Sequence, residues 1–309
     1  MALLLVTQIS PLSVFDYPTY VYNSPSFLKQ NNDQQQLHFY GRQSESLLAH
    51  VAFSVKDKTA YCPMMSPFGG IEYNPSIDHS VLLNFLAEIE RELINQGVNE
   101  IQYHQPPTSY QSDVLIKQVL EELNYIVFKE RLFHGIQVTE EALSVRMHKM
   151  EQRKYKLCID SGAEFKELRG NEAIEALQWI EKNRSLVKKP ASMSWRDLNI
   201  AREENPNTFF VFGVYMDDLL IAATVLVKVN DKSVYHFLPT SLANSPYNSK
   251  YSPMVFLVNE LYKWCQTHSI GLLDLGTSYV DGELKDSLVQ FKEHIGGTAT
   301  KALSWSKRL

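Results

Sequence analysis

Cysteine is scarce: the 309 residues hold three, Cys62, Cys158 and Cys265, with no Cys-x-x-Cys pair. That excludes a zinc ribbon or a disulfide framework and predicts buried thiols in a reducing compartment, the cytoplasm. The nine histidines form neither His-x-x-x-His nor His-Glu-x-x-His, so no metal centre is expected. Gly-x-Ser-x-Gly and P-loop patterns are missing, which argues against a serine-hydrolase elbow and against nucleotide hydrolysis. No stretch approaches the roughly 18–20 apolar residues of a membrane helix. The opening Met-Ala-Leu-Leu-Leu-Val lacks the cationic flank and small-residue cleavage site of a signal peptide. Thirty cations against 35 anions leave a net charge of −5, so no overall basic field points to DNA, though a local patch is not excluded.

What the chain does have is a repeat. Residues 46–61 (SLLAHVAFSVKDKTAY) and 219–235 (LLIAATVLVKVNDKSVY) are alternating, β-branched runs bent around a charged turn, each predicting a hairpin. Asp57, Lys58 and Tyr61 align with Asp231, Lys232 and Tyr235 at an offset of 174. A turn-rich loop follows in both copies (63–70 and 239–253). Then come an amphipathic helix (Leu82, Leu83, Leu86, Ile89, Leu93; Val255, Phe256, Val258, Leu261, Trp264) and a buried strand (100–103; 272–275). Both strands run into Thr-Ser-Tyr, at 108–110 and 277–279. A second helix, 113–123 or 282–295, precedes a last strand. There the offset is 172, a change of two that loop lengths would explain. A polar helix from Thr139 through Lys156, then Gly162 and Gly170, marks the boundary. The second copy adds helices near 171–180 and 194–198 before the strand 208–215. The expectation is an α/β (α+β) protein of two tandem domains, 1–145 and 146–309, with mixed, largely antiparallel sheets.

This order of elements resembles the GNAT acyltransferase superfamily, and the tandem arrangement resembles its Fem-like branch, the FemX-type peptidyltransferases. Ser66-Pro-Phe-Gly-Gly70 is similar to that branch's Gly-containing loop. Leu273-Asp-Leu-Gly276 is similar to its strand-end signature, and Gln290-Phe-Lys-Glu-His-Ile-Gly-Gly297 to its Phe-Lys…Gly motif. The resemblance implies transfer of an acyl or aminoacyl group to an acceptor amine, of a cell-wall precursor in the Fem-like branch. No cofactor would be tightly bound; aminoacyl-tRNA or acyl-CoA would be the donor and co-substrate, with tRNA a partner in the first case. The Gln/Arg-x-x-Gly-x-Gly/Ala loop that holds acyl-CoA pyrophosphate is absent from 239–253, which sets the chain apart from ordinary CoA users. An acyl-CoA N-acetyltransferase and a non-catalytic binding protein on the same fold stay open.

The resemblance makes Lys292 the candidate for stabilising charge on the reacting carbonyl, because attack by an amine builds an oxyanion that a nearby ammonium lowers. From the residues alone, Lys292 sits one step from an apolar helix stripe and reads equally as a solvated face. Asp274 and Tyr279 flank a strand's carboxyl end, where α/β proteins gather ligands. Asp274 is a candidate base, or simply a cap for the turn at Gly276; Asp281 is the other carboxylate within reach. Asn248, Ser249, Lys250, Tyr251 and Ser252 precede Pro253, where a helix N-terminus could hold the donor's anion or be closed by Ser252. Ser66, Phe68, Gly69, Gly70 and Tyr73, with Tyr235, are acceptor-side candidates, the paired glycines reading either as close ligand approach or as a tight turn. Arg146, Lys149, Arg153, Lys154 and Lys156 against Glu151 read as a phosphate-binding patch or a solvated linker helix.

Overall fold

A computed structural model describes residues 4–8, 15–24, 27, 35–43, 46–64, 66–280 and 282–309. The chain divides into two compact units: residues 1–132 with 300–309, and residues 133–299. This division falls at 132/133, where the sequence suggested 145/146, and residues 300–309 belong to the first unit.

In unit 1, strands β1 (Leu4–Gln8), β2 (Gln35–Gln43), β3 (Ser46–Lys56) and β4 (Thr59–Cys62) run antiparallel in chain order. Short β5 (Glu72–Tyr73) pairs with β3. Helix α1 (His79–Asn95) carries β4 over to parallel β6 (Glu100–His104). Its Leu82, Phe85, Leu86, Ile89 and Leu93 fall on one face and are buried against Phe39, Val51, Phe53 and Ile101. Each such side chain contributes about 1.5–3 kcal/mol. Gly97, at φ +81°, ends α1 by letting Val98 N–H reach Leu93 O at 3.0 Å. Helix α2 (Val114–Glu122) and strand β7 (Ile126–Gln137) follow. The last strand of the chain, β15 (Thr298–Arg308), pairs antiparallel with β6 through residues 304–308.

Unit 2 begins in the second part of β7. Where the sequence predicts one polar helix, there are two, α3 (Leu143–Arg146) and α4 (Lys149–Asp160). The break has a packing cause: Met147 turns extended and is buried in the core, and His148 N–H donates to His294 O at 2.8 Å. Then come β8 (Glu164–Leu168), α5 (Gly170–Leu186) and α6 (Trp195–Glu204), the last capped by Ser194 Oγ accepting from Asp197 N–H at 3.2 Å. Strands β9 (Phe209–Met216), β10 (Leu219–Asn230) and β11 (Ser233–Ser241) form an antiparallel meander that β8 extends. Short α7 (Pro246–Lys250) and then α8 (Pro253–Thr267) lead to β12 (Leu272–Thr277), parallel to β11 and antiparallel to β7. A small hairpin, β13 (Tyr279–Val280) and β14 (Glu283–Leu284), takes up the start of the predicted last helix, so α9 runs only over Asp286–His294.

The repeat is in register. Thr59, Ala60 and Tyr61 oppose Glu100, Ile101 and Gln102 in unit 1; Ser233, Val234 and Tyr235 oppose Leu272, Leu273 and Asp274 in unit 2. The change of offset from 174 to 172 is not a loop effect: α1 has 17 residues and α8 has 15, so the difference lies within the helix.

Candidate functional site

In unit 2 the parallel ladder between β11 and β12 stops at Tyr235 and Asp274, although β11 continues to Ser241 and β12 to Thr277. The strands part there, at the carboxyl end where α/β layers bind ligands. Gly276 bends β12 with φ +72°, and a Cβ on it would come within 2.8 Å of the Tyr235 ring. Asp274, 1% exposed, accepts the Gly276 N–H at 2.7 Å through Oδ1. Its geometry is that of the turn cap.

Lys292 rises from α9 into this strand end. It is 5% exposed, and Nζ donates to Gly276 O at 2.8 Å and to Thr277 O at 2.7 Å. The solvated-face reading thus does not describe it. An ammonium has three N–H donors, and among the described residues the third has no acceptor. Burial lowers the Lys292 pKa to about 8, with the nearby negative charge of Asp274 acting the other way. Gly297 lets the chain turn tightly under α9: a Cβ there would lie 2.7 Å from Lys292 O.

Two histidines, which sequence reasoning missed, share this neighbourhood. His236 on β11 is 4% exposed, and burial, followed by the charge of Lys292, pushes its pKa down to about 3. Its Nε2 has no hydrogen-bond partner among the described residues. His134 on β7 is fully buried, with Nδ1 3.3 Å from Ser278 Oγ and Nε2 4.0 Å from Glu293 Oε1; burial and then Lys292 lower its pKa as well. Nothing local marks either histidine in the sequence, since His134 and Ser278 meet across 144 positions.

The other candidates are placed as follows. Tyr279 stands on the β13–β14 hairpin, half-buried, with its N–H on Thr277 Oγ1 at 3.3 Å; it is bonded to neither Lys292 nor Asp274. Asp281 and the side chain of Ser249 lie outside the described residues. Asn248 donates to Leu242 O at 2.7 Å, and Lys250 Nζ lies 4.6 Å from the Tyr251 ring centroid. Tyr251 O accepts from Cys158 Sγ at 2.9 Å. Pro253 does open α8, and Ser252, left-handed at φ 52°, makes no side-chain bond to the helix it precedes. The simple capping role is therefore not what Ser252 performs.

In unit 1, Phe68 is fully buried among Tyr20, Tyr22 and Tyr110. A Cβ on Gly69 would meet Pro63 at 2.4 Å, and one on Gly70 would meet Gln105 at 2.6 Å. The close approach these glycines allow is therefore to protein, so the tight-turn reading holds for them. Ser66 Oγ bonds Phe68 O at 3.1 Å, and Tyr73 donates to Ser112 O at 3.3 Å. Tyr235 belongs to unit 2 and the other acceptor-side candidates to unit 1.

The five cations of 146–156 do not form one patch. Arg146 is held by Tyr262 Oη at 2.6 Å and Gln137 O at 3.0 Å, and Lys154 by Glu151 at 3.0 Å, leaving Lys149, Arg153 and Lys156 exposed. Among the described residues no His/Cys/Asp/Glu group could hold a metal, and no helix is long and apolar enough to cross a membrane.

No protein-family model and no curated protein sequence matches the chain. Solved structures do. The crystal structure of FemX aligns with a TM-score of 0.77 at 10% identity over 95% of this chain and 94% of that one. L-PGS from Bacillus licheniformis aligns with 0.59 at 13%, over 96% and 94%. A tandem GNAT protein from the clavulanic acid biosynthesis pathway aligns with 0.54 at 9%, over 89% and 83%. With the registered repeat of hairpin, helix, strand and helix, these alignments show that the chain has a tandem GNAT fold similar to that of FemX.

Proposed function

We propose that the chain is an acyltransferase that moves an acyl or aminoacyl group from an activated donor to an acceptor amine, with the chemistry in unit 2. The observation that carries this reading is the buried Lys292 ammonium, anchored by two strand-end carbonyls with one N–H uncommitted. The acceptor nitrogen attacks the donor's carbonyl carbon, and the negative charge that collects on the carbonyl oxygen takes the third Lys292 N–H. Collapse breaks the bond to the leaving oxygen or sulfur, which departs with a proton as the nitrogen loses one. No covalent enzyme intermediate is required. Holding both reactants in place supplies much of the rate, up to roughly 7–11 kcal/mol of the barrier.

The parted edge of β11 beyond Tyr235 supports the placement of the donor here, since main-chain groups outside a ladder can pair with an extended amide-bearing arm. The uncapped start of α8 suits the donor's phosphates. Aminoacyl-tRNA and acyl-CoA are the donor classes, and a cell-wall precursor amine is the acceptor we favour from the FemX likeness. The test is single-turnover transfer from each donor to a panel of amines. Lys292→Ala is expected to lose on the order of 10²–10³ in rate, and an unchanged rate removes Lys292 from the mechanism. Calorimetry with acetyl-CoA separates the donors: absence of heat leaves aminoacyl-tRNA. Inactivity with every donor favours a non-catalytic binding protein.

A further inference from the structure

Residues 182–196 of unit 2 hold five cations and no anion, in a chain whose net charge is −5. They span the end of α5, the turn that follows it and the start of α6. The buried stripe of α5 runs through Ala173, Leu177, Ile180 and Asn183, and helical spacing continues it to Val187. Val187 is nevertheless 44% exposed, and its neighbour Leu186 is 59% exposed. The helix overshoots the strands it packs on and leaves two aliphatic side chains in water.

The backbone fixes this display. Lys188 is left-handed at φ 56° and its N–H donates to Ser185 O at 3.1 Å, while Lys189 N–H donates to Arg184 O at 2.9 Å. Such a pair of bonds closes a helix, and both lysines stand exposed beyond it. Cations suit a helix C-terminus, but closure asks for nothing apolar at Leu186 and Val187. The loop lies against the far end of β11, beyond the point where that strand leaves β12. There Arg184 Nη1 donates to Pro239 O at 3.4 Å, and Asn183 Oδ1 accepts the Ala243 N–H at 2.9 Å.

Charge complementarity calls for an anionic partner, and the apolar tip selects a lipid surface over RNA. Phosphates of an RNA would pair with Lys188 and Lys189 but leave Leu186 and Val187 without a partner. The half-buried Trp195 ring has the Arg196 guanidinium 5.4 Å from its centroid, so a cation takes that face where a base would stack. An anionic bilayer accepts both kinds of group, cations among the headgroups and aliphatic tips at the acyl boundary.

We propose that unit 2 docks peripherally on an anionic lipid surface through this loop, with Leu186 and Val187 entering it and Lys188 and Lys189 on its headgroups. Docking does not depend on transfer at Lys292. Sedimentation of the full chain with vesicles tests it. Binding is expected to phosphatidylcholine vesicles containing phosphatidylserine, and at least about tenfold more weakly to phosphatidylcholine alone. Raising salt from about 0.1 M to about 1 M, which shortens the screening length from about 10 to about 3 Å, removes most of it. Lys188→Glu with Lys189→Glu weakens binding about tenfold or more, and Leu186→Ser with Val187→Ser does so by a similar factor; thermal melting confirms folding at these exposed positions. Reversing the exposed α4 cations (Lys149→Glu, Arg153→Glu, Lys156→Glu) leaves binding unchanged, as does Lys292→Met. Absence of binding, equal binding to phosphatidylcholine alone, or full affinity in either loop variant overturns the proposal. So does an equal loss in the α4 variant, which would reduce the effect to unspecific charge. Bulk tRNA bound in place of vesicles, through the lysines and indifferent to Leu186→Ser with Val187→Ser, overturns it in favour of an RNA surface. Transfer activity decides none of these outcomes, so the two readings fail separately.

Discussion

The strand that ends at His104 in unit 1 and the one that passes Gly276 in unit 2 occupy the same place in the repeat, at an offset of 172. Both carbonyls at that place are hydrogen-bonded, but by different means. His104 O accepts the Gly69 N–H at 3.0 Å, so unit 1 closes its strand end with backbone folded back from its own loop. Gly276 O accepts Lys292 Nζ at 2.8 Å, so unit 2 closes its strand end with a buried cation. At the matching helix position unit 1 has Leu120, fully buried. One framework thus supports a sealed core in one copy and a charged, partly uncommitted donor in the other. In a duplicated fold a single side chain can thus decide what fills the space under the strand end of each copy.

Exchanging those residues breaks the comparison most directly. Lys292→Met is expected to cut transfer by on the order of 10²–10³. Leu120→Ala is expected to destabilise the chain by about 2–5 kcal/mol while leaving the rate per folded molecule unchanged; chemical denaturation and single-turnover kinetics read the two effects separately. A large rate loss in Leu120→Ala with normal stability would put chemistry in the wrong copy.

Proton linkage sharpens the same contrast. Burial holds Lys292 near 8, below its ordinary value of 10.5, so between pH 8 and 10.5 the unfolded chain keeps a proton that the folded chain has lost. The Lys292 contribution to stability therefore rises with pH across that window, by on the order of 3 kcal/mol, while the buried thiols of Cys62, Cys158 and Cys265, raised by burial, act in the opposite direction. Urea melts of the wild type and of Lys292→Met, taken as a difference at each pH, should show this rise. The transfer rate moves the opposite way, falling above about pH 8 as the cation is lost. Lys292→Arg is expected to carry that falling limb to higher pH.

A smaller effect is expected at the bend itself. Gly276→Ala combines a left-handed backbone with a 2.8 Å approach to Tyr235, and should cost about 1–3 kcal/mol. It should also displace the Gly276 carbonyl and, with one acceptor of the ammonium lost, lower the apparent Lys292 pKa in the rate profile. The smallest test compares helix ends. Unit 1 ends α1 with Gly97 and unit 2 ends α8 with Ser269, both left-handed. Gly97→Ala should lose, and Ser269→Gly gain, up to about 1 kcal/mol by thermal melting. Equal responses would show that the caps are not equivalent.

Much of the framework was readable in the sequence because it depends on local patterns. Alternating β-branched runs around Asp57-Lys58 and Asn230-Asp231 specify hairpins whichever neighbours they acquire. The apolar spacing of α1 and α8 specifies which face is buried. The Phe-Lys resemblance picked out Lys292, but periodicity alone could not say whether it was buried, because it sits beside the stripe and not in it. The tripeptide at 277–279 was legible as a repeat, yet the hairpin that delays α9 to Asp286 was not. A two-residue strand is specified by its partner and carries no periodicity of its own.

The amino-acid order by itself determined the class of fold and the duplication, since these follow from which residues must leave water. Only the tertiary structure decided the rest. It set Lys292 against two carbonyls, brought His134 and His236 to it, turned Gly69 and Gly70 inward, and returned the final strand to the first unit. Those outcomes depend on contacts between residues distant in the chain, where burial and hydrogen-bond geometry fix which donors are used up and which are left for a ligand.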